Sequence, residues 1–351
     1  MLTTEYANTA ELQSNILEMV TDWLAVGLDP GKATFFVQSR LPEHAELYLI
    51  FGMVTPLGWL ERVPTYKEQL DNLQGRDLHT YGFLGYPVLQ AADILMYKAD
   101  YVPVGEDQVP HVELTREIAR RFNIAYGELI LPDLPEEGWS GLATAAGLPH
   151  SINIQLFPDS PKAVKDKRGL ITKYFRDASV KGKADLLNNG LGSVRQIFTE
   201  PQALLTPSPR LRGTDGRKMS KSYNNAIFLS DPPDVVDKTV RGMMTDPARK
   251  RRYDPGDPEK CPVFDHHKIF SPPEVIDRVN RECRTAELGC VDCKKMMAHH
   301  LNEFLAPIQE RRKVYERDPQ KVWDVLAGGT EKARCVAQAT MAEVRAATKL
   351  A

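Results

Sequence analysis

Lysine and serine side chains alternate in one short stretch of the chain, and both types bind phosphate. Ammonium groups act as point charges toward a polyphosphate, while hydroxyl and backbone N–H groups donate hydrogen bonds to its oxygens. The turn-forming residues 213–216 precede the stretch and predict a loop that can swing. On its own such a stretch is as consistent with solvated surface as with a polyphosphate site. We call it the lysine loop; it consists of Lys218, Met219, Ser220, Lys221 and Ser222.

A second candidate site lies on an apolar helix that the sequence predicts over residues 87–97, with Pro87 at its first position. Gln90, Asp93 and Tyr97 share one face of this helix. Burying the Asp93 carboxylate among apolar neighbours is costly unless a donor satisfies it. Two interpretations stay open. The carboxylate is satisfied by a nearby backbone group or arginine, or it accepts a hydrogen bond from a ligand N–H such as that of an indole ring.

A third candidate site follows the strand predicted over residues 101–104. In an open α/β sheet, ligands bind outside the carboxyl ends of the strands, and residues 105–108 occupy that place. The glycine at 105 lets a ligand approach the backbone, and the start of the next helix, 107–122, supplies N–H donors. Asp107 is also a candidate N-cap of that helix, and the two roles can coexist.

The order of the predicted elements separates two architectures. Short β-forming runs alternate with amphipathic helices up to residue 128, an order typical of a doubly wound, Rossmann-like α/β domain. Helical periodicity alone continues from residue 232. We therefore expect an α/β domain at 1–231 and an all-helical domain at 232–351, with an insertion at 129–196 that is loop more than packed core. The remaining predicted elements are helices at 8–26 (with Asn8 as N-cap), 44–60, 235–244, 294–315, 320–326 and 330–347, and a buried strand at 34–37.

Length and composition place few limits on function. The 351 residues suffice for two domains, and a formal net charge of −2 does not by itself point to a nucleic-acid partner. No apolar run approaches the length of a membrane span, and the N-terminus does not resemble a signal peptide. The sequence predicts a cytoplasmic protein that does not bind a membrane.

Four of the five cysteines fall within 33 residues, and residues 1–260 contain none. Their spacing, C-x21-C-x6-C-x2-C, supplies four soft ligands, enough for a tetrahedral zinc ion or a 4Fe–4S cluster. Spacing alone favours zinc. The four are Cys261, Cys283, Cys290 and Cys293; we expect the fifth, Cys335, to be a buried helix residue.

Several segments, in order, closely resemble bacterial tryptophanyl-tRNA synthetases, which are class I aminoacyl-tRNA synthetases. They are residues 85–95, residues 102–108, the lysine loop and residues 307–311. The resemblance implies a class I Rossmann-like domain followed by a helical domain that binds the tRNA anticodon, in a homodimer. It also implies a tryptophan–tRNA ligase, which activates L-tryptophan with ATP and Mg²⁺ to tryptophanyl-adenylate and transfers it to tRNA(Trp).

The resemblance also implies roles for the candidate residues. Asp93 would accept a hydrogen bond from the indole N–H, so a substrate lacking that N–H would leave the carboxylate unpaired and be rejected. Lys218 and Lys221 would stabilise the charge on the reacting phosphates. The other implied contacts are Tyr86, Gln90 and Gln108 for tryptophan, and Gly105, Glu106, Asp107, Leu211, Met219, Ser220 and Ser222 for ATP.

Two features depart from the family pattern. The family's second ATP signature, a Pro-x-Gly-x-x-His-x-Gly-type segment near the N-terminus, is not found, so the α/β domain is expected to be N-terminally incomplete. This predicts either a true start upstream of Met1 or an inactive enzyme. The family also passes almost directly from a segment like 126–128 to one like 198–201. Residues 129–196 are therefore either a folded excursion or a disordered insertion.

Alternatives remain for the metal centre, the amino-acid substrate and the function. Some bacterial family members carry a 4Fe–4S cluster with nearly this cysteine spacing, so the resemblance favours iron–sulfur over zinc. A tyrosyl ligase shares the fold and the lysine loop, but the residues at 90–95 and 104–108 favour tryptophan. A non-catalytic tryptophan- or RNA-binding paralogue, or an iron–sulfur RNA-binding module, would tolerate the missing ATP segment.

Overall fold

The computed structural model describes residues 9–64, 80–205, 211–219 and 223–350. These residues divide into two compact units that each draw on separate parts of the chain. Unit 1 takes its described residues from 37–206 and 330–351, and unit 2 from 8–36 and 207–329. The predicted domains, 1–231 and 232–351, remain a prediction.

The regular elements are mostly helical. The strands are β1 (Tyr101–Val104), β2 (Leu129–Ile130), β3 (Ser193–Val194) and β4 (Gln202–Leu205). The helices are α1 (Leu12–Val26), α2 (Glu43–Val54), α3 (Leu57–Leu60), α4 (Tyr81–Leu95), α5 (Val109–Tyr126), α6 (Gly138–Ala145), α7 (His150–Asn153), α8 (Lys167–Asp177), α9 (Val180–Asn188), α10 (Pro233–Gly242), α11 (Pro262–Phe270), α12 (Pro273–Arg284), α13 (Cys290–Arg317) and α14 (Gln320–Thr348). Among the described residues, no helix combines the length and apolarity needed to cross a bilayer.

A parallel strand pair and three helices form the core of unit 1. β1 and β4 pair in parallel from Tyr101 with Gln202 to Val104 with Leu205, as the Rossmann-like interpretation requires of the 101–104 strand. α5 leaves the end of β1 and packs against α2 and α4. Edge-to-face contacts among Phe51, Phe122 and Phe198, with ring centroids 5.0–5.7 Å apart, fill the space beneath them.

Residues 129–196 fold as a helical excursion, so the expectation of loop more than packed core is wrong. Helices α6 to α9 enclose a hydrophobic core of their own, in which Leu156, Ile171 and Leu191 are fully buried. At the base, β2 pairs antiparallel with β3. Each piece is too short to set a recognisable period, and only their packing together buries the apolar side chains.

The predicted helix over 87–97 begins six residues earlier than expected. The Thr80 hydroxyl accepts a hydrogen bond from the Phe83 N–H and caps the helix, so Pro87 lies inside α4. The N-cap expected at Asn8 lies outside the described residues, and α1 begins at Leu12. The N-cap expected at Asp107 is wrong, because a short 3₁₀ turn over Glu106–Gln108 precedes α5 and Gln108 occupies the N-cap position.

In unit 2, the strand expected over 34–37 is absent from the described backbone. Phe35 is buried, but the backbone at 34–37 pairs with no strand among the described residues. It instead lies against a helix, where a Cβ on Gly329 would come within 1.8 Å of the Phe35 carbonyl oxygen. Gly329 therefore allows close packing rather than ending a helix. The helices expected at 320–326 and 330–347 are accordingly the single helix α14.

The expectation that Cys335 is buried is wrong. It is exposed on α14, whereas Ala333, Ala337, Met341 and Val344 form the buried stripe of that helix. Residue 335 lies on the opposite side of the helical wheel from this stripe. Sequence periodicity identified the helix but not which of its faces is covered.

Candidate active site

The Asp93 carboxylate lies in the last turn of α4. Two side chains hold it: Gln38, from the segment that precedes α2, and His44, from the first turn of α2. Gln38 Nε2 donates to Asp93 Oδ1 at 2.6 Å and to Oδ2 at 2.7 Å. His44 Nδ1 lies 2.7 Å from Oδ1, and His44 Nε2 lies 2.9 Å from the hydroxyl of Tyr97. His44 is buried, but the Asp93 side chain is 38% exposed. The carboxylate is therefore satisfied by a glutamine and a histidine, not by a backbone group or arginine, and it still reaches solvent.

Tyr86, about two turns earlier on α4, contacts the start of α5. Its hydroxyl lies 3.1 Å from Nε2 of His111. Burial lowers the pKa of His111, which the charge of Asp107 opposes, so the ring is neutral at pH 7. His111 thus bonds a residue expected at tryptophan and senses the charge of one expected at ATP. Gln90, also on α4, is half-buried.

The turn after β1 is exposed, as expected of a ligand site. Gly105, Glu106 and Asp107 are exposed at the carboxyl end of the strand, and Gln108 is half-buried. Gln108 Nε2 donates to Asp107 Oδ2 at 3.2 Å. A Cβ at Gly105 would lie 2.9 Å from Asp107 Oδ1, so a larger residue would displace that carboxylate.

The lysine loop follows a hydrogen-bonded hairpin in unit 2. Gly213 N donates to the Arg217 carbonyl at 2.7 Å, and the backbones of Arg212 and Lys218 form an antiparallel β-bridge. Asp215 accepts from Arg217 N at 3.0 Å and from Asn225 Nδ2 at 2.8 Å. These bonds lower the pKa of Asp215 to about 2.

Buried Asn225 joins the two ends of the loop. Its Nδ2 also donates to the Lys218 carbonyl at 3.1 Å, and its own carbonyl accepts from Thr214 N at 2.9 Å. Lys218 is exposed, whereas Met219 and Leu211 are half-buried. Ser220, Lys221 and Ser222 lie outside the described residues.

All four clustered cysteines line one small cavity of about 20 Å³ in unit 2. Cys261 precedes α11, Cys283 lies near the end of α12, and Cys290 and Cys293 occupy the first turn of α13. Among the described residues, no group of three or more histidine, cysteine, aspartate or glutamate side chains has metal-ligating geometry. Burial raises the pKa of Cys261, Cys283 and Cys293, so the thiols as placed are neutral.

A buried arginine faces the cysteines. Arg249 lines the same cavity, and its Nη1 lies 3.7 Å from Cys283 Sγ. Its Nη2 donates to the carbonyls of Arg252 and Leu288, both at 2.8 Å. A guanidinium keeps its charge when buried, so this cavity holds a cation beside four groups that could become anions.

Comparisons with known proteins identify the family. The sequence model of the class I tRNA synthetases for tryptophan and tyrosine ("W and Y") matches residues 2–134 and 179–306. The chain belongs to this family. The two matched stretches leave out residues 135–178, the central part of the excursion.

Individual relatives agree with the family model. The chain is 45% identical over 354 residues to a tryptophan–tRNA ligase of Ralstonia nicotianae, covering 99% of this chain and 88% of the relative. It is 43% identical over 350 residues to that of Thermotoga maritima, covering 99% and 86%. A crystal structure of tryptophanyl-tRNA synthetase from Campylobacter jejuni, complexed with ADP and tryptophan, matches with a TM-score of 0.67 at 27% identity, covering 98% and 85%. The class I Rossmann-like fold expected from the sequence is confirmed.

Sequence reasoning missed the residues that hold the candidate ones in place. Gln38 and His44 orient Asp93, Asn225 joins the ends of the lysine loop, and Arg249 faces the cysteines. Arg249 begins a run of four basic residues, 249–252, and such runs usually form solvated surface. Gln38, His44 and Arg249 carry no local signal, since each acts on a side chain at least 34 residues away.

Proposed function

We propose that this chain is a tryptophan–tRNA ligase that activates L-tryptophan with ATP and transfers it to tRNA(Trp). The observation that carries the proposal is the half-exposed Asp93 carboxylate, oriented by neighbours and open to a ligand donor. The chain's identity to tryptophan–tRNA ligases favours this function over a non-catalytic paralogue. In the proposed site, Asp93 accepts the indole N–H, and Tyr86, Gln90 and Gln108 surround the amino and carboxylate groups.

The proposed reaction begins when the tryptophan carboxylate oxygen attacks the α-phosphorus of ATP. The bond to the bridging oxygen breaks, which yields tryptophanyl-adenylate and pyrophosphate. The exposed turn Gly105–Asp107 and Leu211 bind the nucleoside, and Lys218, Ser220 and Lys221, with Met219 and Ser222, bind the phosphates. Mg²⁺ supplies further charge neutralisation when bound. The chain's contribution is positioning and charge stabilisation rather than covalent chemistry.

Tryptophan-dependent exchange between ATP and pyrophosphate tests this proposal. We expect Lys218→Ala and Lys221→Ala each to lower the exchange rate about 100-fold, a typical cost of removing one charge-stabilising group, while tryptophan binding persists. Lys321→Ala is the matched control. Lys321 is exposed, forms an ion pair with Asp318 three residues before it, and lies far along the chain from the lysine loop. Tryptophan binding without any exchange in the unmutated chain would refute the ligase function.

The four cysteines are proposed to hold a metal centre, a 4Fe–4S cluster or, as the alternative, Zn²⁺. The donor set fits, since four thiols line one cavity and the buried Arg249 charge would offset the negative charge of a four-thiolate centre. Purified under anaerobic conditions, the protein should contain iron and acid-labile sulfide, or zinc, in proportion to protein. Cys290→Ser should lose this content and Cys335→Ser, at the exposed cysteine, should keep it. Equal metal content in the two variants would contradict the assignment.

We also propose that the ligase works as a homodimer in the cytoplasm, as the family resemblance implies. Sedimentation equilibrium on the purified chain tests the assembly. A mass that stays near the 39.5 kDa of one chain at micromolar concentration would contradict it.

A further inference from the structure

The neighbours of Asp93 occupy most of the positions at which its carboxylate can accept a hydrogen bond. A carboxylate offers about four lone-pair positions, two on each oxygen. Oδ1 faces both His44 Nδ1 and Gln38 Nε2, while Oδ2 faces Gln38 Nε2. One lone pair on Oδ2 is therefore left, on a side chain that is 38% exposed. The carboxylate is arranged to accept one more hydrogen bond, from a direction that its neighbours fix.

The orientation of His44 is fixed in turn by Tyr97. Burial and the nearby charges of Asp93 and Glu43 raise the pKa of Tyr97, so its phenol stays protonated and can donate. A phenol that donates to His44 Nε2, 2.9 Å away, places the ring proton on Nδ1, which then donates to Asp93. The ring is also 3% exposed and stacks at a tilt on Tyr97, with centroids 5.6 Å apart. Both ring nitrogens are therefore engaged, and the imidazole cannot turn without breaking a hydrogen bond.

We propose that His44 is a positioning residue for tryptophan recognition: it locks the Asp93 carboxylate in the rotation that presents the remaining Oδ2 lone pair to the indole N–H. This inference rests on the proposed function and deepens it. His44 does not touch the substrate. Its loss leaves the carboxylate held by Gln38 alone, so its orientation is less fixed and the hydrogen bond to the indole N–H weakens although Asp93 itself is intact.

A positioning role and a purely structural role of His44 predict different effects on ligand binding, and one pair of ligands distinguishes the two roles. The probes are L-tryptophan and its benzothienyl analogue, in which sulfur replaces the indole N–H at similar ring size. Dissociation constants for both are measured by calorimetry on the full chain. His44→Leu removes the donor to Asp93, whereas the amide of His44→Asn places an N–H close to the position of Nδ1.

We expect His44→Leu to weaken tryptophan binding about tenfold more than analogue binding, the size of one hydrogen bond to a charged group. His44→Asn should recover most of that difference. Equal losses for both ligands would overturn the inference, because they would show a general packing defect. Failure of the unmutated chain to prefer tryptophan over the analogue would instead overturn the proposed role of Asp93.

Tyr97→Phe is a second variant that keeps the test decisive if His44→Leu does not fold. It removes only the hydroxyl that orients the imidazole. A selective loss of tryptophan binding of about threefold supports the inference, since the imidazole keeps its bond to Asp93 but loses its anchor. A loss that is the same for both ligands overturns it.

Discussion

Asn123 on α5 holds the segment through which the chain returns from the helical excursion. Its Nδ2 donates to the Phe198 carbonyl at 2.8 Å, and its Oδ1 accepts from Ile197 N at 2.9 Å and Phe198 N at 3.0 Å. The side chain is buried, and Phe198 is fully buried beside it. One amide therefore satisfies three backbone groups just before β4, which pairs with β1 at the candidate site.

Replacing Asn123 with alanine removes all three hydrogen bonds and leaves two backbone N–H groups and one carbonyl without that partner. Each buried polar group left unpaired costs about 1–3 kcal/mol, and water entering the space vacated by the amide offsets part of the sum. We therefore expect Asn123→Ala to lower the free energy of unfolding by about 3 kcal/mol. Asn123→Asp keeps the acceptor but turns an oxygen toward the Phe198 carbonyl, and we expect a similar loss at pH 7. That loss shrinks as the pH falls, since a protonated carboxyl regains the donor.

Denaturant unfolding followed by circular dichroism, at pH 7 and pH 5, measures these losses. The matched control is Asn188→Ala, at an exposed asparagine of α9, where we expect a change below about 0.5 kcal/mol. An Asn123→Ala loss within about 1 kcal/mol of the control would refute the reasoning, as would an Asn123→Asp loss that does not depend on pH.

Two further predictions concern the excursion and the base of the lysine loop. Ile171→Ala, in the excursion core, should lower the free energy of unfolding by about 2–5 kcal/mol. Amide-exchange protection should be lost first in α8 and α9. The control Phe157→Ala, at a half-exposed residue, should lower the free energy of unfolding by less than about 1 kcal/mol. The pKa of Asp215 is lowered to about 2 in the folded chain, so its contribution to stability is complete above the unfolded value of 3.8 and is lost as the pH falls toward 2. Asp215→Asn should flatten the acid limb of the unfolding profile between pH 4 and 2; an unchanged limb would show that its bonds to Asn225 and Arg217 do not matter.

The sequence determined those features whose signals are local. The 101–104 strand and the helices of the C-terminal third each depend on residues a few positions apart, where periodicity and turn chemistry act. The motifs also predicted the family, and the comparisons confirmed it. Local signals failed where packing overrides them: the sequence predicted two helices at 320–326 and 330–347, yet Gly329 lies inside the single helix α14 and lets it pack against Phe35.

Tertiary structure alone decided which side chains meet. Gln38 and His44 precede Asp93 by 55 and 49 residues, and no periodic pattern links positions so far apart. The same holds for Arg249, which the fold buries beside four cysteines that lie 12 to 44 residues further along the chain. Short apolar pieces in the excursion showed no pattern singly, because their burial depends on one another. Sequence therefore supplied the chemistry of the candidate residues, and long-range packing supplied their orientation and their partners.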